Sequence, residues 1–365
     1  MSDLLYSDTE EALRDSVRRL FADRCPPEAV TRVYDSAPQD FSGVWHTLAA
    51  DLGMAGLLVP EQLGGAGAGA REAAVVMEEI GRAVAPVPFL SSAVLATVAL
   101  LHAGDTETVK RLAAGSLTAA LTVPLSTAPG DTVTGVSVGG NGLTGSITSV
   151  AGAGEADVLV VPAAGPAGLE LHTIDRDAMG VDVSSVLTLD MTRPLANIEF
   201  SGAASVRVGA EPADAAVGAA LETGAALLAS EQFGIAQWCF DTTLSYVKQR
   251  KQFGRAIGSY QAIKHRLADL WIEVNSAAAA ARYAADTCAR QGDDATIGAA
   301  VAQAYCSGVA VHAAEECVQL HGGIGMTWEY PAHLYLKRAK SDQLAFGTAY
   351  RHRARLAGLV DLPAS

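Results

Sequence analysis

The sequence predicts an α+β fold, mostly α, built as a helical domain over residues 1–121, a middle β domain over 122–212 and a carboxy-terminal helical bundle over 213–365. Three observations predict it. Apolar residues recur at helical spacing in the first third, at Leu13, Val17, Leu20 and Phe21 and again at Val75, Val76, Met77 and Ile80. After Leu121 the composition turns to Thr, Val, Gly and Ser, in short runs bounded by Gly, Pro or Asp, which are strand signals. From Ala213 the chain is Ala-rich and helically periodic again.

The first third breaks at Gly53 to Ala70, where Pro60 and clustered glycines make a continued helix costly, so this stretch reads as a loop between two helices. In the middle third, Val158 to Val161 and Ala196 to Phe200 read as strands, and Asn141-Gly142 sits where a hairpin turn is needed. The last third predicts long helices over Leu221 to Arg250, Tyr260 to Arg290 and Asp294 to Leu320. No repeat of solenoid length is visible, so the order is not that of an array.

Composition narrows the partners. The 40 acidic against 26 basic residues give a net charge of −14, and such a surface repels nucleic acid and anionic membranes alike. A small anionic ligand then needs a local basic pocket. The five cysteines are odd in number and widely spaced, with no CxxC pair, which argues against a disulfide framework or zinc site and for a reducing cytoplasm. The acidic, amphipathic start has no signal-peptide pattern, and no uninterrupted apolar run reaches the roughly 20 residues of a membrane span.

Two stretches carry chemistry: YVKQRKQFGRAIGSYQAIKHRLADL from Tyr246 to Leu270, and VQLHGGIGMTWEYP from Val318 to Pro331. Arg250 follows a helix and precedes the Phe253-Gly254 turn, a place from which a guanidinium can pair bidentately with a pyrophosphate. Phe253 offers an apolar face beside it. Gln261 and Gln319 donate and accept at once, which suits a ribityl or phosphate edge. Gly322, Gly323 and Gly325 admit close backbone approach. Singly, Arg250 is also a solvated helix end and Gly322-Gly323 a helix cap. Their joint spacing over about seventy residues argues against coincidence.

Together with LGMAGLLVPEQLGGAGAGA and the helix, sheet, helix order, these stretches resemble the acyl-CoA dehydrogenase family over nearly the whole chain. The resemblance implies FAD as cofactor, an acyl-CoA substrate oxidised to its 2,3-enoyl form, and electron-transfer flavoprotein as acceptor. It also implies a paralogous subunit as partner in a dimer or tetramer. By the same resemblance Arg250, Phe253, Gln261, Gln319, Gly322, Gly323 and Thr348 bind the cofactor, the Arg250 group holding its adenine and pyrophosphate end while the flavin ring lies in the neighbouring subunit.

The chain departs from the family pattern on the ring side and at the base. Where members carry a TEPxxGSD-like loop, Leu121 to Asp131 keeps Thr122 and Pro124 but has Val123 in the acidic place, and Val150-Ala151-Gly152 stands for an aromatic-led triplet. Abstracting the α-proton of a thioester needs an aimed, desolvated carboxylate. Most members place that glutamate before a Gly-Thr pair, and here Phe346 precedes Gly347-Thr348. Another branch places it early in the first long helix of the last domain, where this chain has Gly224. No catalytic residue is therefore expected. Glu222 is the better candidate for a relocated base, with Glu231 behind it, against its reading as a carboxylate stabilising a helix amino terminus. Glu315 and Glu316 read as a solvated face and His321 as part of a helix end. The losses favour a flavin-sharing subunit without its own glutamate over an active homo-oligomer that uses Glu222.

Overall fold

In the computed structural model, which describes residues 4–35, 39–133, 135–292 and 294–362, Ser7 opens the first helix with a reciprocal cap. The Glu10 amide donates to Ser7 Oγ (3.3 Å) and the Ser7 amide donates to Glu10 Oε2 (2.7 Å). That helix, α1 (Asp8–Arg24), is followed by the short α2 (Pro27–Thr31) and α3 (Ser42–His46) and then by the glycine-rich loop. Helix α4 (Ala70–Ala83) buries Val75, Val76, Met77 and Ile80. A segment of wider, π-type turns (Phe89–Ala96) runs into α5 (Thr97–Ala103), and α6 (Thr106–Ala113) completes the amino-terminal helices.

The sheet begins at β1 (Ala119–Leu121), before the expected residue 122. It continues through β2 (Val136–Gly139), β3 (Gly142–Ala151), β4 (Val158–Gly165), β5 (Gly168–Asp175), β6 (Val181–Val186), β7 (Leu195–Ala203) and β8 (Val206–Val208). The order is β6-β7-β3-β2-β4-β5-β8, with β1 laid parallel to β4. The expected hairpin is present one residue earlier than anticipated. Gly139 pairs with Gly142, so Gly140-Asn141 make the turn and Gly142, at φ 111°, starts the next strand.

The last third holds α7 (Asp214–Gln249), a small hairpin of β9 (Lys251–Gln252) and β10 (Arg255–Ala256), α8 (Gln261–Arg290), α9 (Ala295–His321), α10 (Ala332–Leu344) and α11 (Ala349–Leu359). Helix α9 is the core of this bundle. The stretch Ala295–Met326 is long and apolar enough to cross a membrane, but 72% of its apolar window is buried inside the protein, as befits a core helix.

Two glycines let α4 and α7 cross closely. A Cβ at Gly81 would meet the Glu231 carbonyl oxygen at 2.0 Å, and one at Gly234 would meet that of Glu78 at 2.0 Å. Any larger side chain would push the two helices apart. This crossing sets the position of the amino-terminal half of α7, on which the base side of the site is built.

Candidate functional site

The ends of three helices meet at one end of the bundle. The Tyr246 hydroxyl near the end of α7 donates to the His321 carbonyl at the end of α9 (3.4 Å), and the two rings stack with centroids 4.2 Å apart. Arg266, in the second turn of α8, pairs with Glu316 of α9 (2.9 and 2.5 Å). Glu316 is therefore buried in an ion pair, not part of a solvated face; Glu315 is exposed and pairs with Lys340 at 3.1 Å. A carboxylate facing inward from α9 finds its cation on the neighbouring helix, which periodicity alone does not reveal.

Around this junction Arg250, Phe253, Gln261, Gln319, Gly322 and Gly323 all lie exposed. Arg250 ends α7, its amide donating to the Tyr246 carbonyl (2.8 Å), and among the described residues its guanidinium has no carboxylate partner. The next six residues form the β9–β10 hairpin, whose two turn residues, Phe253 (φ 51°) and Gly254 (φ 77°), are both left-handed. A phenylalanine held in that conformation and 91% exposed is strained and unsupported by packing within this chain. Cβ atoms built on Gly322 or Gly323 would meet nothing within 4 Å, so that loop faces open space. A guanidinium without a carboxylate partner among the described residues, two exposed side-chain amides, an open glycine loop and an exposed phenyl are groups that could serve a phosphate-bearing cofactor.

His321 does not join this face. It is buried, with Nδ1 2.6 Å from the Cys317 carbonyl and Nε2 2.6 Å from the Tyr330 hydroxyl. The first contact requires an Nδ1–H, leaving Nε2 to accept from the tyrosine. Thr348 lies elsewhere too. It caps the start of α11, and Arg353 of that helix donates to the Ala304 carbonyl, about a third of the way along α9. Ala304 is 15 residues before Gln319 (319 − 304), roughly 22 Å of helix. Within one chain the structure thus separates Thr348 from the Arg250 cluster.

Thr348 belongs to a second region, where α7, the end of α10 and the Leu121 to Asp131 loop converge. Phe346 is 1% exposed and adopts φ 54°. Its amide donates to the Leu125 carbonyl (2.8 Å), and its carbonyl lies 2.9 Å from His352 Nε2. Burial lowers the His352 pKa, so the neutral ring with hydrogen on Nε2 makes this contact. A Cβ at Gly224 would meet Leu95 Cδ2 at 2.6 Å and Phe346 Cζ at 2.9 Å. The two family positions for a catalytic glutamate therefore face each other, and they carry a phenyl ring and a glycine packed with Leu95.

Glu222 points away from that contact, as a two-residue offset at about 100° per residue requires. Its Oε2 lies 2.8 Å from Arg355 Nη2 and its Oε1 3.3 Å from Nη1, tying α7 to α11. Burial raises the Glu222 pKa, and Arg355 opposes the rise. The expected role at a helix amino terminus is corrected: α7 begins at Asp214, so Glu222 lies in its third turn and binds a neighbouring helix instead. The RHRAR run at 351–355 was legible, but only packing shows which arginine faces Glu222.

Glu231 is likewise committed. It accepts from Arg193 (2.6 Å) and Arg338 (2.5 Å), and Arg193 also pairs with Asp342 (2.5 Å) and Arg338 with Asp190 (2.9 Å). All five side chains are buried. Asp342 Oδ2 and Gln232 Oε1 have no partner among the described residues. Three carboxyls against two guanidiniums leave one excess negative charge, and burial pushes the Asp342 pKa up to about 7. This network joins the β6–β7 loop to α7 and α10; no sequence pattern announces it, because its members come from three distant segments.

On the ring side, Thr122 is fully buried and its hydroxyl has no hydrogen-bond partner among the described residues. Ser149 is left-handed (φ 58°), and a Cβ on Gly152 would meet Ser91 Oγ at 2.4 Å. A cleft of about 290 Å³ lies there between Leu125, Ser149, Leu189, Lys340 and Leu344.

A mainly antiparallel central sheet with helical segments before and after it in the chain is the acyl-CoA dehydrogenase fold. Family models for the acyl-CoA dehydrogenase N-terminal and C-terminal domains match residues 7–118 and 214–358. The chain is 34% identical over 351 residues to acyl-CoA dehydrogenase IpdE2 of Mycolicibacterium smegmatis, covering 96% of this chain and 98% of that protein. Among solved structures, the ChsE4-ChsE5 complex from Mycobacterium tuberculosis superposes with a TM-score of 0.87 at 27% identity, over 100% of each chain. A variant of the Tcur3481-Tcur3483 steroid ACAD gives 0.85 at 28% identity, covering 97% of this chain and 98% of that one. The chain belongs to the acyl-CoA dehydrogenase family, flavin oxidoreductases that act on acyl-CoA with FAD as cofactor.

Proposed function

We propose that this chain is a subunit of a heteromeric acyl-CoA dehydrogenase that contributes the adenine and pyrophosphate half of an FAD site and lacks a catalytic glutamate of its own. The observation that carries this reading is the contact of Phe346 with Gly224, which leaves both family positions for the base without a carboxylate. The exposed, unpaired Arg250 beside Phe253 and the open Gly322-Gly323 loop supports the complementary half, since such a face is completed by a second chain. FAD, when bound, supplies the redox chemistry of α,β-dehydrogenation. Arg250 neutralises its phosphates, Gln261 and Gln319 hydrogen-bond its polar edges, and Phe253 excludes water from that end.

The partner is a paralogous subunit carrying the ring site and the glutamate, with Thr348 contributing to the cofactor environment at that separate region. The assembled site acts on an acyl-CoA thioester, and the likeness to the Tcur3481-Tcur3483 steroid ACAD favours a bulky acyl group. Electron-transfer flavoprotein is the acceptor, and the cytoplasm the compartment, supported by five free cysteines. The same reading divides the chain into units 1–121, 122–212 and 213–365, supported by the change to strand at Ala119 and back to helix at Asp214.

A visible absorption spectrum of the chain purified alone and then with its paralogue tests the proposal. Flavin absorbance and acyl-CoA oxidation should appear only in the mixture. Stoichiometric FAD and turnover by the chain alone, abolished by Glu222→Gln, would instead establish the active homo-oligomer. The ion pair of Glu222 with Arg355 argues against that outcome.

A further inference from the structure

At one edge of the sheet, β5 and β8 run antiparallel with His172 opposite Arg207. Ser205, in the turn before β8, places its hydroxyl 3.0 Å from His172 Nδ1, and His172 Nε2 lies 3.2 Å from Glu170 Oε2. Glu170 and His172 are two residues apart on one strand and so share a face. Both are buried, while Ser205 is half-buried and open to solvent. The second carboxylate oxygen of Glu170 is held by Arg207 (3.3 Å). A Cβ on Gly165 would come within 2.4 Å of that carboxylate, so a glycine leaves the room it occupies.

The hydrogen positions follow from the partners. A carboxylate only accepts, so Nε2 carries the hydrogen toward Glu170 and Nδ1 is left to accept from the serine. Nucleophile, base and orienting carboxylate are thereby in line, with the two imidazole nitrogens exchanged relative to the common serine hydrolase arrangement; such a constellation is defined by geometry and roles, not by chain order. Ser205 lies just outside the β5–β8 register, which ends at Thr173 opposite Val206.

We propose that Ser205, His172 and Glu170 form a second reactive centre, one that hydrolyses acyl thioesters. Ser205 Oγ bonds to the thioester carbonyl carbon and its proton passes to His172 Nδ1. The C–S bond breaks, and the departing thiolate takes that proton. Water then cleaves the acyl-serine ester with the same base, so the net change is thioester plus water to carboxylic acid plus thiol, with no oxidant. Thioesters are the electrophiles that a member of this family meets, and a thiolate leaves readily. The proposal is independent of whether the chain is a flavin-sharing subunit.

The test treats the full chain with a fluorophosphonate and locates the adduct by peptide mass spectrometry, while free thiol released from butyryl-CoA is followed without electron acceptor. The adduct should fall on Ser205, and Ser205→Ala and His172→Asn should each slow thiol release by about 100-fold or more. Glu170→Gln should slow it and change its pH profile, because the imidazole loses its orienting partner. No adduct on Ser205, equal labelling of His172→Asn, or unchanged thiol release from a folded Ser205→Ala chain would overturn the assignment.

Discussion

The two ends of the carboxy-terminal bundle differ in what they leave available. At the α7–α9 end, Arg250, Phe253 and Gln319 are exposed and Gly322-Gly323 faces open space. At the Phe346 end the phenyl ring, Leu95 and Gly224 fill one another's space. Residues kept for binding are seldom those that hold the fold together, so substitutions should separate cleanly: the packed end should respond in stability and the open end in flavin.

The largest effect should come from Phe346→Ala, which removes a fully buried ring. A loss of about 3–5 kcal/mol in denaturant unfolding is expected. Flavin content of the assembled complex should be retained if the protein is assayed well below its unfolding midpoint; loss of flavin in a folded complex would break the comparison.

Next is the buried network. The Asp342 pKa is raised from 3.8 to about 7, so the folded state holds a proton that the unfolded state releases. This contribution is fully present below the unfolded pKa and is lost as pH rises through the folded one, so stability from this group falls between about pH 4 and pH 7. Urea midpoints across that window should show the slope in the native chain and a flatter difference curve in Asp342→Asn.

Arg250→Ala should leave unfolding within about 0.5 kcal/mol, as befits an exposed side chain. It should nevertheless weaken FAD retention in the assembly by about 1.5–3 kcal/mol, the scale of a charge-assisted contact. Unchanged affinity by flavin titration would make Arg250 a surface residue only. The smallest effect belongs to Glu222→Gln. It removes a partly exposed ion pair, so a stability loss below about 1 kcal/mol and an unchanged rate of acyl-CoA oxidation are expected.

Local periodicity and motif spacing were enough to read the helix, sheet, helix order and the long helices of the bundle, and to single out Arg250, Gln261 and Gln319, which lie exposed near helix ends. These features depend on short-range propensity or on helix ends, which a linear pattern records. The resemblance marks residues 224 and 346 as places for a glutamate, and the sequence has glycine and phenylalanine there. Only the tertiary structure brought those two positions into contact, turned Glu222 toward Arg355 and buried Glu231 between two arginines. It alone assembled Ser205 with His172 and Glu170 and set Thr348 apart from the Arg250 cluster. Each of these depends on which faces of distant segments meet, and that is decided by helix crossings such as the close approach at Gly81 and Gly234, whose geometry no local pattern encodes.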